Sequence, residues 1–342
     1  MTGSKRKWWK LAAVILILAV LLIFFRDSFV EGLQEIRKVP VQKVLLLLCL
    51  SMGYFLAEGG IIALLSRSCS QAVSYGKGVV CSLYCSFFRL VTFGSGSGIA
   101  EVYYLNRGGM KVAEATGMSL VQYLMQKVAI CVMGAVSFFF CFSYVERYIG
   151  AYQGYIALAV GITMAIGAGI VLLTVFKRGK EALFSFLYKI TAGKTAWEER
   201  IRKLSEQADI LQDGAGRLYK KKGLLFAALA LNFVKYFCWF LTPFVLYGDG
   251  RRLTFGISLV LMALATMLAG VIPTPSGYGS LDAMLILLFH PLIGEARVVS
   301  LVILYRVVVS LFPFLVGAVV AARPGGRDKE KEINKGGLEN GK

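Results

Sequence analysis

A short run of helix-breaking residues between two apolar segments of membrane length constrains this chain most. Residues 273–282 read PTPSGYGSLD and hold two prolines, two glycines and a carboxylate. Backbone groups freed by such a break find no water in lipid, so a break is tolerated only where it lines a cavity or packs against protein. The stretch therefore predicts a buried site within a membrane domain.

A second break has the same form. Residues 96–101 read G-S-G-I-A-E and residues 277–282 read G-Y-G-S-L-D, so both follow the pattern G-x-G-x-x-acid. Aligning 96–128 with 277–309 without a gap gives eight identities, whereas chance would give roughly two to four in so apolar a composition. We interpret this as an internal duplication with a broken helix in each half, which is typical of the substrate sites of transporters.

Composition indicates an all-α, polytopic integral membrane protein. Hydrophobic residues make up 57% of the 342 positions, well above the share in soluble domains. The net charge of +18 comes from basic residues beside apolar segments, where they set orientation and attract anionic lipid. We therefore expect no nucleic-acid partner. The seven cysteines show no C-x-x-C spacing and His290 is the only histidine, so we expect no metal, cofactor or disulfide framework.

Eight apolar segments are candidate spans. They are residues 8–25, 41–65, 78–93, 112–144, 152–176, 223–247, 254–272 and 296–322. The first follows a basic N-terminus and lacks a small-residue cleavage site, so we expect it to remain as an uncleaved span.

The distribution of basic residues makes this count of spans informative. Basic residues cluster in the first ten positions, in 177–222 and after residue 322, so all three regions should face the cytoplasm. Five spans separate the first two regions and three separate the last two, although a shared side requires even numbers. If the motif segments, about 96–110 and 277–293, also cross the membrane, both numbers of spans become even. The duplication then has inverted topology; a pair of re-entrant hairpins is the alternative.

We therefore predict a membrane transport domain over residues 1–322, with repeat cores at about 78–144 and 254–322. Residues 177–222 have apolar positions at helical spacing, which indicates an amphipathic helix on the cytoplasmic surface; a solvated connector is equally compatible. Those positions are Ile201, Leu204, Ala208 and Leu211. Residues 323–342 form a basic cytoplasmic tail.

Ionisable side chains inside apolar segments are costly unless paired or hydrated, so each is a candidate functional residue. The acids are Glu58, Glu101 and Asp282, and the bases are Arg89, Lys127, Lys235 and Arg306. Arg306 is the strongest candidate because it lies about ten residues into its segment, near the bilayer centre. Its guanidinium can bind a lipid phosphate through two parallel hydrogen bonds; an internal ion pair with Asp282 or Glu101 is the alternative. Arg89 joins these three in the predicted substrate site, and the lysines rank lower.

The breaks themselves complete the predicted substrate site. Their residues are Gly96, Gly98, Pro273, Pro275, Gly277 and Gly279. Amide groups at half-helix N-termini beside a break can receive an anionic head group. Close helix packing through small residues is the alternative, although the two prolines argue against an unbroken helix in the second copy.

The late motif resembles the P-x-P-G-G-x-G-x-x-E pattern of the transmembrane-region family of lysylphosphatidylglycerol synthetases, in which an arginine-bearing helix follows and ends in proline and glycine. The matching residues are Pro273, Pro275, Ser276, Gly277, Gly279, Asp282, Arg306, Pro313 and Gly317. The family's earlier pattern, a glycine-acid step before L-x-R-x-G, is similar to Gly98, Glu101, Leu105, Arg107 and Gly109. Ser276 and Asp282 depart from the family's glycine and glutamate, which affects the transfer of a substrate more than that of the fold.

The resemblance implies a phospholipid flippase or scramblase of the bacterial inner membrane, with both termini in the cytoplasm. Its substrate would be a phosphatidylglycerol-like lipid or an aminoacyl derivative. The soluble aminoacyl transferase domain is absent from this sequence, so we expect no enzymatic synthesis of the lipid. One rival function is an accessory subunit that docks a lipid-modifying enzyme through 177–222. Another is an intramembrane transferase with Glu101 or Asp282 as general base. The expected partners are therefore lipid, membrane and either such an enzyme or a second copy of the chain.

The inverted topology predicts that the N-terminus, 177–222 and the tail share the cytoplasmic side. Cysteine-accessibility labelling on a cysteine-free background tests this. A cysteine at Thr195 should be protected from impermeant reagents in intact cells, and its labelling from outside would contradict the inverted repeat.

Overall fold

The computed structural model describes most of the hydrophobic part of the chain. The described residues are 34, 37–92, 94, 96–150, 153–175, 221–270 and 279–322, with scattered positions between 181 and 216. Eleven α-helices have defined bounds in these ranges, and no strand occurs among the described residues. The helices are α1 (Val41–Ser66), α2 (Tyr75–Val91), α3 (Ser97–Arg107), α4 (Val112–Ile149), α5 (Gln153–Val175), α6 (Lys222–Phe240), α7 (Thr242–Tyr247), α8 (Phe255–Ala269), α9 (Ser280–Ile293), α10 (Glu295–Arg306) and α11 (Phe312–Ala322).

The predicted all-helical membrane architecture is confirmed. Within the described ranges, four helical stretches are long and apolar enough to cross a membrane: Val41–Ser66, Val112–Phe140, Lys222–Tyr247 and Glu295–Ala322. Shorter apolar helices, including α8 and α9, lie between them. The first predicted span, 8–25, lies outside the described residues, and the total of eight full spans stays a prediction.

Each glycine motif begins a short helix, as a broken helix requires. The backbone turns at Gly94 with a φ of +94° before α3, and at Gly279 with a φ of +88° before α9. Both angles lie in the region that favours glycine because a Cβ would clash there. Two more glycines with positive φ, Gly109 and Gly294, separate α3 from α4 and α9 from α10.

Helix α1 lies at the centre of the packing. It contacts α6 along one side and α2 along the other. Gly59 and Gly78 let α1 and α2 touch through their backbones, because a Cβ on Gly78 would overlap the Gly59 carbonyl oxygen. Gly317 does the same between α11 and α2, where a Cβ would overlap the Leu83 carbonyl oxygen. These close approaches hold α2 between α1 and α11.

The last long helix is irregular at its middle. The five residues Val307–Leu311, directly after α10, form a π-helical segment before α11. Pro313 has no N–H to continue the regular ladder of hydrogen bonds. The hydroxyl of Ser51 on α1 donates to the Val308 carbonyl oxygen at 2.8 Å, so a side chain from another helix supports the irregular turn. Such bulges often mark functional positions.

Between residues 181 and 216 the chain is helical at each position that the structure describes. Ile201 is buried and Arg202 is exposed, where it pairs with Glu206 one turn later. Alternation of this kind agrees with an amphipathic helix. Leu204, Ala208 and Leu211 lie outside the described residues.

We expect Gly317→Ala to destabilise the fold, because the added methyl group must push α11 away from the backbone of α2. Overpacking of this kind costs about 1–3 kcal/mol, so the melting temperature of the purified protein should fall. Gly161→Ala in α5 is the matched control, since no atom lies within 4 Å of a Cβ there. Helix propensity predicts a neutral or slightly stabilising effect for the control. Equal melting temperatures for the two variants would contradict the close packing.

Candidate functional site

A first cavity of about 160 Å³ lies among α1, α2, α6, α8, α9 and α10. Its wall is mainly aromatic and apolar, with Phe55, Tyr236, Trp239, Phe240 and Tyr305 among the lining residues. Three charged side chains enter this wall: Arg89, Asp282 and Arg306. The cavity is thus amphiphilic, since an apolar surface surrounds a small charged group.

Arg306 is bound by an acid from the second glycine motif. Its Nε donates to Asp282 Oδ1 at 3.0 Å, and its Nη2 contacts Asp282 Oδ2. This is the two-pronged geometry that favours arginine over lysine. Oδ2 also accepts the Gly279 N–H at 2.6 Å. Asp282 therefore stabilises the positive-φ turn at Gly279 and connects α9 to the end of α10. Of the two sequence-based alternatives for Arg306, the structure contains the ion pair with Asp282.

Arg89 lies in the last turn of α2 and lines the first cavity and a second one. The hydroxyl of Tyr54 on α1 lies beside its guanidinium. Among the described residues, ion pairs are recorded for Arg306 and Lys235 but not for Arg89. Its side chain is half-buried. Arg89 is thus the cation of these cavities that carries no acid partner within the described ranges.

A buried polar cluster borders the second cavity. Lys235 on α6 is fully buried, and its Nζ lies 2.6 Å from Glu58 Oε2 on α1. The other carboxylate oxygen, Oε1, accepts hydrogen bonds from the side-chain amides of Gln122 at 2.8 Å and Gln126 at 3.0 Å, both on α4. The ammonium group also lies 5.3 Å and 5.0 Å from the ring centres of Tyr54 and Tyr236. Both oxygens of Glu58 are therefore satisfied, as a buried charge requires.

The second cavity, of about 290 Å³, is lined by this cluster and by the first glycine motif. Glu101 is 8% exposed, and the hydroxyl of Ser119 lies beside its carboxylate. Its Oε1 has no hydrogen-bond partner within the described part of the chain. The two glycine motifs thus supply their acids to two different cavities. Glu101 is not in an ion pair with Arg306, which already binds Asp282.

The predicted glycines have different local environments. Gly98 borders the second cavity, where a Cβ would lie 3.9 Å from the Ser119 hydroxyl. Gly96 is buried, and its N–H donates to the Thr92 hydroxyl at 2.7 Å. Gly279 has open space but a positive φ. Gly98 of the first motif and Gly279 of the second therefore differ in their local surroundings. Pro273, Pro275 and Gly277 lie outside the described residues.

Sequence reasoning named Glu58 and Lys235 among the ionisable candidates without pairing them, and it missed the two glutamines of the cluster. Lys235 ranked low because it follows an ordinary apolar run, and its partner Glu58 is 177 residues away. Gln122 and Gln126 carry no charge, so they were not among the ionisable candidates. Their spacing of four residues places them on one face of α4, which is the signal that could have paired them with a buried acid.

Comparison with known proteins agrees with this architecture. The model of the family described as the lysylphosphatidylglycerol synthase TM region matches residues 8–317. A search of curated proteins finds no match. The matched span includes both glycine motifs, the buried Glu58–Lys235 pair and the walls of both cavities. Because the match extends over nearly the whole chain, this membrane protein belongs to the lysylphosphatidylglycerol synthase transmembrane-region family.

Proposed function

We propose that this protein moves an anionic phospholipid between the leaflets of a bacterial inner membrane, with the first cavity receiving the phosphate of the head group. The observation that carries this proposal is Arg89, a cation that lines a mainly aromatic and apolar cavity and forms no ion pair among the described residues. Family membership supports a lipid-related function in the membrane.

The charge pattern of the first cavity favours a phosphate ligand. Arg306 and Asp282 neutralise one another, so Arg89 supplies the net positive charge of this wall. A guanidinium can donate two hydrogen bonds to a phosphate, and such charge-assisted bonds are stronger than neutral ones. Tyr54 orients Arg89 from one side. This assignment moves the phosphate-binding role from Arg306, the strongest candidate by sequence, to Arg89.

The cavity size limits what part of a lipid can enter. About 160 Å³ accommodates a small polar group, so the acyl chains would stay in the surrounding bilayer while the head group passes. The aromatic rings of Tyr236, Trp239 and Tyr305 suit this task because they present an apolar body beside polar atoms. Phosphatidylglycerol or its aminoacyl derivative fits the need for a single phosphate.

The arrangement of helices supports the proposed inverted repeat. In the first copy, Gly94, α3, Gly109 and α4 follow one another; in the second copy the same order is Gly279, α9, Gly294 and α10. Glu114 and Glu295 occupy the first turns of α4 and α10. The helices that precede the motifs pack reciprocally, α2 against α11 and α8 against α4. Reciprocal packing is expected of two copies related by a pseudo-twofold axis.

We expect Arg89→Met to slow the exchange of fluorescent phosphatidylglycerol in proteoliposomes. Loss of a charge-assisted contact of about 1.5–3 kcal/mol corresponds to a decrease of roughly ten- to a hundredfold. Arg89→Lys should recover only part of the rate, because an ammonium group cannot make the planar two-pronged contact.

Arg297→Met is the matched control for this experiment. Arg297 is exposed on α10 and lines neither cavity, so its variant should exchange lipid at the rate of the unmodified protein. A full rate in well-folded Arg89→Met protein would remove Arg89 from the transport path.

The ion pair between Arg306 and Asp282 should act mainly through structure. Arg306→Met leaves Asp282 without its main partner, which we expect to destabilise the protein by on the order of 1–2 kcal/mol. The double variant Arg306→Met with Asp282→Leu removes both charges and should melt at a higher temperature than the single variant. A double variant that is less stable than Arg306→Met alone would show that the pair does not explain the effect.

A further inference from the structure

The second cavity contains two buried oxygen atoms that lack hydrogen-bond partners. They are Glu101 Oε1 on α3 and Gln122 Oε1 on α4, and neither has a donor within the described residues. Glu101 is 8% exposed and Gln122 is 2% exposed. Both residues line the same cavity of about 290 Å³. Buried oxygens of this kind are costly unless a ligand satisfies them.

The neighbouring acid, Glu58, has partners for both of its carboxylate oxygens. Glu58 binds Lys235 through Oε2 and two amides through Oε1. The amide nitrogen of Gln122 is thereby fixed on Glu58, which turns the carbonyl oxygen of the same side chain away from that acid. Glu101 is then the acid of this cavity with an open coordination position.

We propose that the second cavity is a binding site for an alkali-metal cation, with Glu101 and Gln122 as its main oxygen ligands. A carboxylate, a carboxamide and a hydroxyl are hard oxygen donors, which suit hard cations. The hydroxyl of Ser119 lies beside Glu101 in the same wall and is the third donor. The proposal assigns no role in lipid movement to the cation; any coupling to transport rests on the proposed function above.

The charges around the cavity set the class of cation. Lys235 neutralises Glu58, so Glu101 is the one acid left without an ion pair among the residues that line this wall. Arg89 also borders the cavity, and its positive charge opposes a divalent ion more strongly than a monovalent one. We therefore expect Na⁺ or K⁺ to bind at millimolar concentration.

Thermal unfolding of the purified full-length protein in detergent tests the site without any lipid-transport measurement. Na⁺ and K⁺ are compared with choline at constant ionic strength. A ligand that binds only the folded state raises the melting temperature. At about ten times the dissociation constant the expected rise is about 2–4 °C.

Glu101→Gln keeps the size of the side chain and removes its charge, so this variant should lose the cation-dependent rise. The matched control is Glu295→Gln, which changes an exposed acid outside both cavities and should keep the full rise. If Glu101→Gln does not fold, Glu101→Asp provides the second test, because the shorter carboxylate should shift the half-maximal effect to a higher Na⁺ concentration.

Two outcomes would overturn the cation site. One is an unmodified protein whose melting temperature is the same in Na⁺, K⁺ and choline. The other is an equal cation-dependent rise in the Glu101 and Glu295 variants. Because lipid exchange is measured separately, a full exchange rate in the Arg89→Met variant would leave the cation result unaffected, and a failed cation site leaves the lipid proposal unaffected.

Discussion

The buried ion pair between Glu58 and Lys235 is the interaction around which the helices of this protein are arranged. It joins α1 to α6 in the most central part of the packing, and the two glutamines of α4 attach a third helix to the same carboxylate. A buried charge is stable only when its partners are all in place. The pair therefore specifies how these three helices face one another, even where a pair of apolar residues would stabilise the fold equally well.

The position of Arg89 follows from this arrangement. Gly59 and Gly78 bring α2 close to α1, and the hydroxyl of Tyr54, one turn before Glu58, lies beside the guanidinium. The aromatic ring of Tyr54 stacks on Trp239 of α6 with 3.5 Å between ring centres. Arg89 is thus held at the boundary between two cavities by groups that belong to the central packing. Arg89 therefore lines both the amphiphilic first cavity and the more polar second cavity.

The acids of the two glycine motifs line different cavities. Asp282 has both oxygens engaged, so it stabilises the turn before α9 and is poorly placed to act as a general base. Glu101 keeps one oxygen without a partner in the described structure and faces the larger cavity. The acids at matching positions of the two glycine motifs therefore have different surroundings: Asp282 is structural, whereas Glu101 keeps an oxygen without a partner in the described structure.

The sequence by itself determined the helical membrane class, the places where helices break and the family. These properties depend on local patterns, namely apolar length, glycine and proline at the breaks, and a motif within a few residues. The partners of the charged side chains were decided only by tertiary structure. Helical periodicity shows which residues share a face, but not which helix that face contacts. Glu58 pairs with Lys235, which lies 177 residues later in the chain. The sequence ranked Arg306 above Arg89 as a phosphate-binding cation; the packing of α9 beside α10 supplied an acid to the first, while α2 presents the second to both cavities.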